Sequence, residues 1–424
     1  MDQKLAERIT YIKPSPTLTL DAEVKAMKAQ GRQIVNLGVG EPDFQTPEYI
    51  KEAAIKAIRD GFTRYTPSEG ILELREAVCE KFSLENNLEY LPDQIVITCG
   101  GKHALYNTMQ VLFGPGDEVI IPSPYWVTYP AQVLLSGARP VFVDTLKEEG
   151  FVLTPEALAS KITPKTKGLI INSPSNPTGM LYDSSHLAAL APLIKRHNLW
   201  VISDDIYENL VYDGKEFVNL PMVAPDLKEQ TVICHGVSKT YSMTGWRIGF
   251  LAAPKLVSEA VAKMQSQMTS NPTSIAQKAA LAALTGPKEP VVRMQNIFAQ
   301  RRQLVLNLLE GIESFSTPIP QGAFYVFPDV SSLFGKTLHG QKIRNSDDVA
   351  SILLKECEVA TIPGSGFGYD RAIRLSYATS EKEILDGLER IGNFLSPGSQ
   401  MASQDRGWLK KALGPQPRGS KGGL

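Results

Sequence analysis

Apolar residues change their spacing twice along this chain. Over residues 19–30, Leu20, Val24 and Met27 recur at helical intervals, and Gly31 supplies a stop. Just before them, Ile12-Lys13-Pro14-Ser15-Pro16-Thr17 carries two prolines and is not expected to begin a regular helix. Ile34-Val35-Asn36-Leu37 reads as a short strand that runs into the glycine-rich turn Gly38-Val39-Gly40-Glu41-Pro42-Asp43-Phe44. Pro47 opens a helix whose buried face is predicted to hold Ile50, Ala54, Ile55 and Ile58. After the loop Arg64 to Gly70, a second amphipathic helix is predicted over 72–86.

From about residue 94, short β-rich runs alternate with helical segments. The runs are Gln94 to Thr98, Glu118 to Ile121, Pro140 to Val143, Gly168 to Ile171, Trp200 to Ser203, Thr231 to Cys234 and Ile248 to Leu251. Several are apolar on both faces, as in strands covered by helices on each side. The alternation predicts an α/β fold with an open, mostly parallel seven-stranded sheet. After about residue 290 the pattern shifts again. A long helix over 288–311 carries Arg301 and Arg302, followed by a strand at Ala323 to Phe327, a helix near 346–356, a strand at Ala372 to Ser376 and a helix over 381–394. The expected organisation is an N-terminal segment (1–45) packed on the small domain, a large domain (46–287), a small α+β domain (288–395) and a mobile tail (396–424). Trp408-Leu409 is the one apolar feature of that tail singled out.

Composition narrows the classes. Hydrophobic residues make up 43% and charged residues 21%, which fits a globular protein, and the net charge of -1 gives no footprint for nucleic acid or an anionic membrane. The four cysteines are scattered without a CxxC pair, so no zinc site is indicated and Cys99 and Cys234 read as small core residues. The absence of a secretory signal and of a long apolar stretch predicts a cytoplasmic protein.

Candidate chemistry collects beyond the carboxyl ends of the predicted strands, where open α/β sheets bind ligands. Lys239 and Arg247 leave the run at Thr231 to Cys234. Burial lowers a lysine's pKa and makes it a nucleophile toward a carbonyl, and an arginine suits a phosphate. An aldehyde and a phosphate together point to pyridoxal phosphate, although two solvated loop cations would give the same pattern. Gly100-Gly101-Lys102 begins a helix after a strand and offers free N–H groups to an anion. Asp204 ends a buried strand, where a carboxylate needs a partner, and a pyridinium is one. Asp205 beside it fits a cap or a surface turn.

Ser238-Lys239 through Arg247-Ile248-Gly249 resembles the lysine signature of the class I and II aminotransferases of fold type I. Ser173 to Gly179 resembles that family's NPTG segment, Ser203-Asp204-Asp205-Ile206-Tyr207 its S-D-E-x-Y strand end, and Arg374-Leu375-Ser376-Tyr377 its C-terminal element. Asp205 stands where the family usually has glutamate. The resemblance covers about residues 5–395 and implies pyridoxal 5'-phosphate as cofactor. It implies that Lys239 holds the cofactor's aldehyde and moves the substrate Cα proton, and that Asp204 pairs with the ring nitrogen. Tyr207 and Asn176 would bond the phenolic oxygen, and Trp126 would stack on the ring. Ser238, Arg247 and the Gly101 and Lys102 backbone would hold the phosphate, with Tyr65 reaching across a homodimer. Gly236 replaces a phosphate-binding serine of many members. Arg374 would clamp the substrate α-carboxylate, beside the Gly38 and Gly40 backbone.

For the substrate, Lys13-Pro14-Ser15, Thr17 and Lys102 resemble the bacterial and plastid type of aspartate aminotransferase, some members of which use prephenate. The resemblance implies that Lys102, Ser15 and Thr17 hold a second carboxylate. An amino acid and a 2-oxo acid are thus the expected substrates, exchanged in a ping-pong reaction. An aromatic amino acid or kynurenine is an alternative, with Phe324, Tyr325 and Phe367 near the pocket, as is a C–S β-lyase on the same fold. A non-catalytic sensor is a remote rival. It carries an N-terminal DNA-binding domain, for which the early start of the resemblance is expected to leave no room.

Overall fold

The computed structural model describes residues 5–395; the tail from 396 onward, with Trp408-Leu409, lies outside the described residues. The first helix, α1, spans Pro16–Ala29 and so begins three residues earlier than the prolines led us to expect. Pro16 occupies the first turn of the helix, where its fixed φ is already helical and its missing N–H would have had no acceptor. β1 (Val35–Asn36) pairs in parallel with the strand Val359–Ala360. α2 (Glu48–Arg59) buries Ile50, Ala54 and Ala57, whereas Ile58, expected inside, is 55% exposed. α2 packs on the helix Ser274–Thr285 along the i, i+4, i+7 positions, and Ile58 lies past the edge of that seam. α3 runs over Leu72–Asn86, as predicted.

The sheet contains β2 (Ile95–Thr98), β3 (Glu118–Ser123), β4 (Arg139–Asp144), β5 (Thr166–Asn172), β6 (Trp200–Asp204), β7 (Thr231–Gly236) and β8 (Gly249–Ala252). Their order is β2-β8-β7-β6-β5-β3-β4. Only β8 runs against the rest, pairing antiparallel with both β2 and β7. Two-sided burial explains the apolar runs. On β2, Ile95 and Ile97 pack into one core with α2 and α3, while Val96 faces another formed with α4 (Gly101–Leu112). β7 does the same with Ile233 on one face and Val232 and Cys234 on the other. β4, at the edge, is the most exposed strand of this sheet, and its Phe142 is 41% exposed.

A separate core joins Val35 and Leu37 to side chains from 298–391, so the segment around β1 packs with the C-terminal part of the chain. The strand expected at Ala323 to Phe327 narrows to β9 (Tyr325–Val326), which pairs antiparallel with Ile373–Ser376. The long helix spans Glu289–Glu310. On it, Arg301 grips Asp43 through two bonds of 2.6 and 2.9 Å. The next residue, Arg302, grips Asp213 through bonds of 3.0 and 2.5 Å and donates to the Pro320 carbonyl.

Candidate active site

The strand register lines up the chemistry. Asn172 lies beside Asp204, and Asp204 beside Cys234, so β5 and β6 end in one row and β7 runs two residues further. The turns that follow carry Asn176, Tyr207, Ser238 and Lys239 to the same edge of the sheet. All four line a cavity of about 480 Å³. Gly101, Lys102, Trp126 and Arg247 line it from the large sheet's side, and Thr17, Gly40 and Arg374 from the other. One expected member is not in its wall: Ser15 is tied to Thr17 by a 2.9 Å bond between hydroxyls. Tyr65, expected to reach a partner's site, is 91% exposed on its loop.

Glycines let backbones meet at the floor. A Cβ on Gly249 would stand 2.3 Å from the Gly101 nitrogen and 2.4 Å from the Gly100 carbonyl carbon. A Cβ on Gly236 would stand 2.9 Å from the Gly249 Cα, so the serine common at this place has no room in this chain. Gly100 adopts φ +94, and a side chain there would collide with the Arg247 guanidinium. The result is a helix start pressed between two strands and an arginine. The N–H groups of Gly101 and Lys102 have no acceptor among the described residues.

Lys239 Nζ donates to the Gly40 carbonyl at 2.5 Å. Desolvation pushes its pKa down to about 8; Glu41 opposes this, and the charges of Arg374 and Arg247 add to it. Asp204 is 5% exposed and has no ion-pair partner among the described residues. Tyr129 donates to its Oδ2 at 2.6 Å. Burial raises the Asp204 pKa, a shift that Tyr129 offsets in part. Asp205, expected at a cap or surface turn, is instead fully buried, since alternation turns it away from its neighbour. It accepts from Ser203 Oγ at 2.6 Å and Asn219 Nδ2 at 2.9 Å, and burial raises its pKa to about 7.

Arg374 is 2% exposed. Its Nη1 donates to Asn176 Oδ1 at 2.9 Å and its Nη2 to the Gly38 carbonyl at 2.7 Å, while Nε has no partner among the described residues. Its guanidinium carbon lies 4.4 Å from the Tyr325 ring centroid and 5.1 Å from that of Phe367. Lys102 Nζ sits 4.9 Å from the Trp126 ring centroid, and desolvation lowers its pKa, with a contribution from Arg247. Trp126 meets Tyr129 edge to face at 5.4 Å.

Sequence reasoning missed Tyr129, Glu41 and Thr244 as members of this cavity. Thr244 Oγ1 donates to Glu41 Oε2 at 2.7 Å, joining the turn at 38–44 to the Lys239 loop. Tyr129 follows Trp126 by three residues, across a turn, and spacing does not say which aromatic meets Asp204.

These residues fit pyridoxal phosphate. The buried, unpaired Asp204 needs a cation, which a protonated ring nitrogen supplies. The glycine-lined start of α4, with its unused N–H groups beside Arg247, suits a phosphate. The lowered pKa of Lys239 suits an amine that must attack a carbonyl. Among the described residues there is no cluster of metal-ligating side chains, and no helix is long and apolar enough to cross a membrane.

Comparison with known proteins agrees with this geometry. The chain is 48% identical over 392 residues to an aspartate aminotransferase of Geobacillus stearothermophilus, covering 92% of this chain and 99% of the relative. It is 47% identical to an aspartate/prephenate aminotransferase of Cereibacter sphaeroides, covering 92% and 98%. Among solved structures, an aspartate aminotransferase of Rhizobium meliloti superposes with a TM-score of 0.90 at 42% identity, covering 93% of this chain and 99% of that one. One of Thermus thermophilus, solved with maleate, gives 0.88 at 43% identity, covering 93% and 100%. The family model "Aminotransferase class I and II" matches residues 32–391, and the chain is therefore an enzyme of the class I and II aminotransferases, with the fold type I architecture of that family.

Proposed function

We propose that this aminotransferase moves the amino group of aspartate or glutamate to a 2-oxo acid, in two half-reactions at one site. One observation carries the dicarboxylate reading: besides Lys239, and besides Lys25, whose amine is already paired with Asp21, a single cavity holds three separate cations, namely Arg247, Arg374 and Lys102. They match a cofactor phosphate, a substrate α-carboxylate and a second carboxylate in turn. The maleate bound to the Thermus relative is also a dicarboxylate. Prephenate, which carries two carboxylates, fits the same arrangement. Of the three aromatic residues behind the aromatic reading, Tyr325 lines the cavity and Phe324 and Phe367 do not, so that reading keeps one of its three supports.

When bound, pyridoxal phosphate supplies a carbonyl carbon for the amine and a ring that takes up electrons. Lys239 would hold that carbonyl carbon and would move the proton at the substrate Cα. Asp204 keeps the ring nitrogen protonated, and Tyr129 fixes the carboxylate that does so. Tyr207 and Asn176 would bond the phenolic oxygen, Trp126 would cover the ring, and Ser238, Arg247 and the start of α4 would hold the phosphate. Arg374 exchanges its bonds to Gly38 and Asn176 for the α-carboxylate, and its free Nε is a further donor. Lys102, with Thr17 and the linked Ser15, takes the second carboxylate. 2-Oxoglutarate or oxaloacetate reverses the sequence.

The test is a half-reaction panel with aspartate, glutamate, arogenate, phenylalanine and kynurenine, followed by the absorption of the bound cofactor. Lys102→Ala is expected to weaken aspartate about tenfold or more, the loss of one charge-assisted bond, and to spare phenylalanine. Equal losses on both substrates would overturn the dicarboxylate reading. A cytoplasmic homodimer belongs to the same proposal. The exposed Tyr65 ring supports it, and a monomer in sedimentation at micromolar concentration would remove that tyrosine from the site.

A further inference from the structure

Tyr325 is the buried group in this cavity to which the mechanism above gives no task. It is 1% exposed, and its hydroxyl lies 2.8 Å from that of Tyr207, which is 4% exposed. The rings meet edge to face, with centroids 5.8 Å apart at 84°. β9 sets the tyrosine in place: Tyr325 pairs with Ser376 and Val326 with Leu375, on the strand that also carries Arg374. The Arg374 guanidinium carbon lies 4.4 Å from the Tyr325 ring centroid. The turn at Gly40, whose carbonyl takes the Lys239 amine, passes so close that a Cβ on Gly40 would be 3.0 Å from the Tyr325 hydroxyl. One side chain therefore touches the elements that carry three separate tasks.

We propose that Tyr325 is a positioning residue that joins the carboxylate clamp to the cofactor's phenolic-oxygen site: its ring supports Arg374, and its hydroxyl donates to Tyr207. This rests on the reading of Tyr207 as a partner of the phenolic oxygen. A phenol has one proton to give. With the cavity empty, either hydroxyl can donate to the other. Once Tyr207 donates into the cavity, it can only accept from Tyr325, and the direction of the pair is fixed. Chained hydrogen bonds polarise one another, so the Tyr325 proton makes Tyr207 the stronger donor. The ring acts separately, by holding the face of the guanidinium while its edge takes a carboxylate.

The sign of the effect follows. A bond donated to the phenolic oxygen stabilises negative charge there and lowers its hold on a neighbouring proton. Weakening that bond raises the pH at which the bound cofactor's visible band titrates. The experiment is a spectrophotometric pH titration of the holoenzyme and of Tyr325→Phe, Tyr207→Phe and Tyr325→Leu. Tyr325→Phe keeps the ring and is expected to raise the midpoint by about 0.5–1 pH unit, the scale of one neutral hydrogen bond. Tyr207→Phe should raise it further. Tyr325→Leu should match the Tyr325→Phe midpoint and also raise the amino-acid KM about tenfold, through the loss of the ring beneath Arg374. A raised midpoint in Tyr207→Phe with none in Tyr325→Phe overturns the inference alone. An unmoved midpoint in both overturns the Tyr207 reading and the inference with it. If the leucine variant does not fold, the phenylalanine variant still decides the hydroxyl's part.

Discussion

The floor of the cavity and its outer wall meet the same ligand-binding task by opposite means. The floor is built from strand ends and glycines, with backbones in direct contact at Gly100, Gly101, Gly236 and Gly249. Its polar groups are left wanting: Asp204 lacks a cation, and the N–H groups of Gly101 and Lys102 lack an acceptor among the described residues. The wall is built from groups that already have partners. Arg374 bonds the Gly38 carbonyl and Asn176, and the Gly40 carbonyl accepts from Lys239 of the floor. An unsatisfied buried group is costly, so the floor binds its group as a permanent part. A satisfied group can exchange one partner for another at little net cost, so the wall suits a substrate that comes and goes.

The largest test of that contrast is Arg374→Lys. A lysine cannot offer the bidentate fork, so kcat/KM should fall about 10²-fold or more, while cofactor retention in equilibrium dialysis stays unchanged. Loss of the cofactor would mean that wall and floor are not separable. Gly249→Ala probes the floor. The methyl must displace the start of α4, costing about 1–3 kcal/mol in denaturant unfolding, and should release the cofactor more readily. Unchanged retention would show that the cradle tolerates a side chain.

Lys239→Met gives the smallest effect. The folded pKa of Lys239, about 8, lies below its ordinary 10.5, so the folded state disfavours the charged amine. That penalty is full below about 8 and gone above about 10.5, because between these values the unfolded chain holds more protons and stability rises with pH. The cofactor-free methionine variant should therefore be more stable than its parent at pH 7 by about 1–2 kcal/mol, less than the full shift because part of the side chain meets water. The gap should close toward pH 10.5 in unfolding curves, and a gap that widened with pH would contradict a depressed lysine.

The floor was the more legible region in the sequence. Lys239, Asp204, Asn176 and Arg247 stand at fixed distances from strand ends, and strand ends follow from local apolar runs. The seven strands emerged for the same reason. The wall depends on chain crossings that spacing does not encode. Tyr325 stood out as an aromatic near the pocket, but its bond to Tyr207 joins positions 118 residues apart. Tyr129 was hidden by an equally aromatic neighbour. The misread positions are ones where a neighbour decides: Ile58 fits its helix's apolar period yet is left mostly exposed, and Asp205 reads as a surface acid yet meets Ser203 and Asn219 inside. Pro16 is a local rule misapplied, since proline interrupts helices but also starts them.

The two arginine forks on the long helix Glu289–Glu310 act as a mechanical constraint. Successive helix residues point about 100° apart, so Arg301 and Arg302 pull on Asp43 and Asp213 from different sides of one axis. Any roll of the helix that eased one fork would open the other. The helix is thereby keyed against rotation, like a shaft with two pins. Through Asp43 that key also fixes the turn from Gly38 to Phe44, and with it the aim of the Gly40 carbonyl at Lys239.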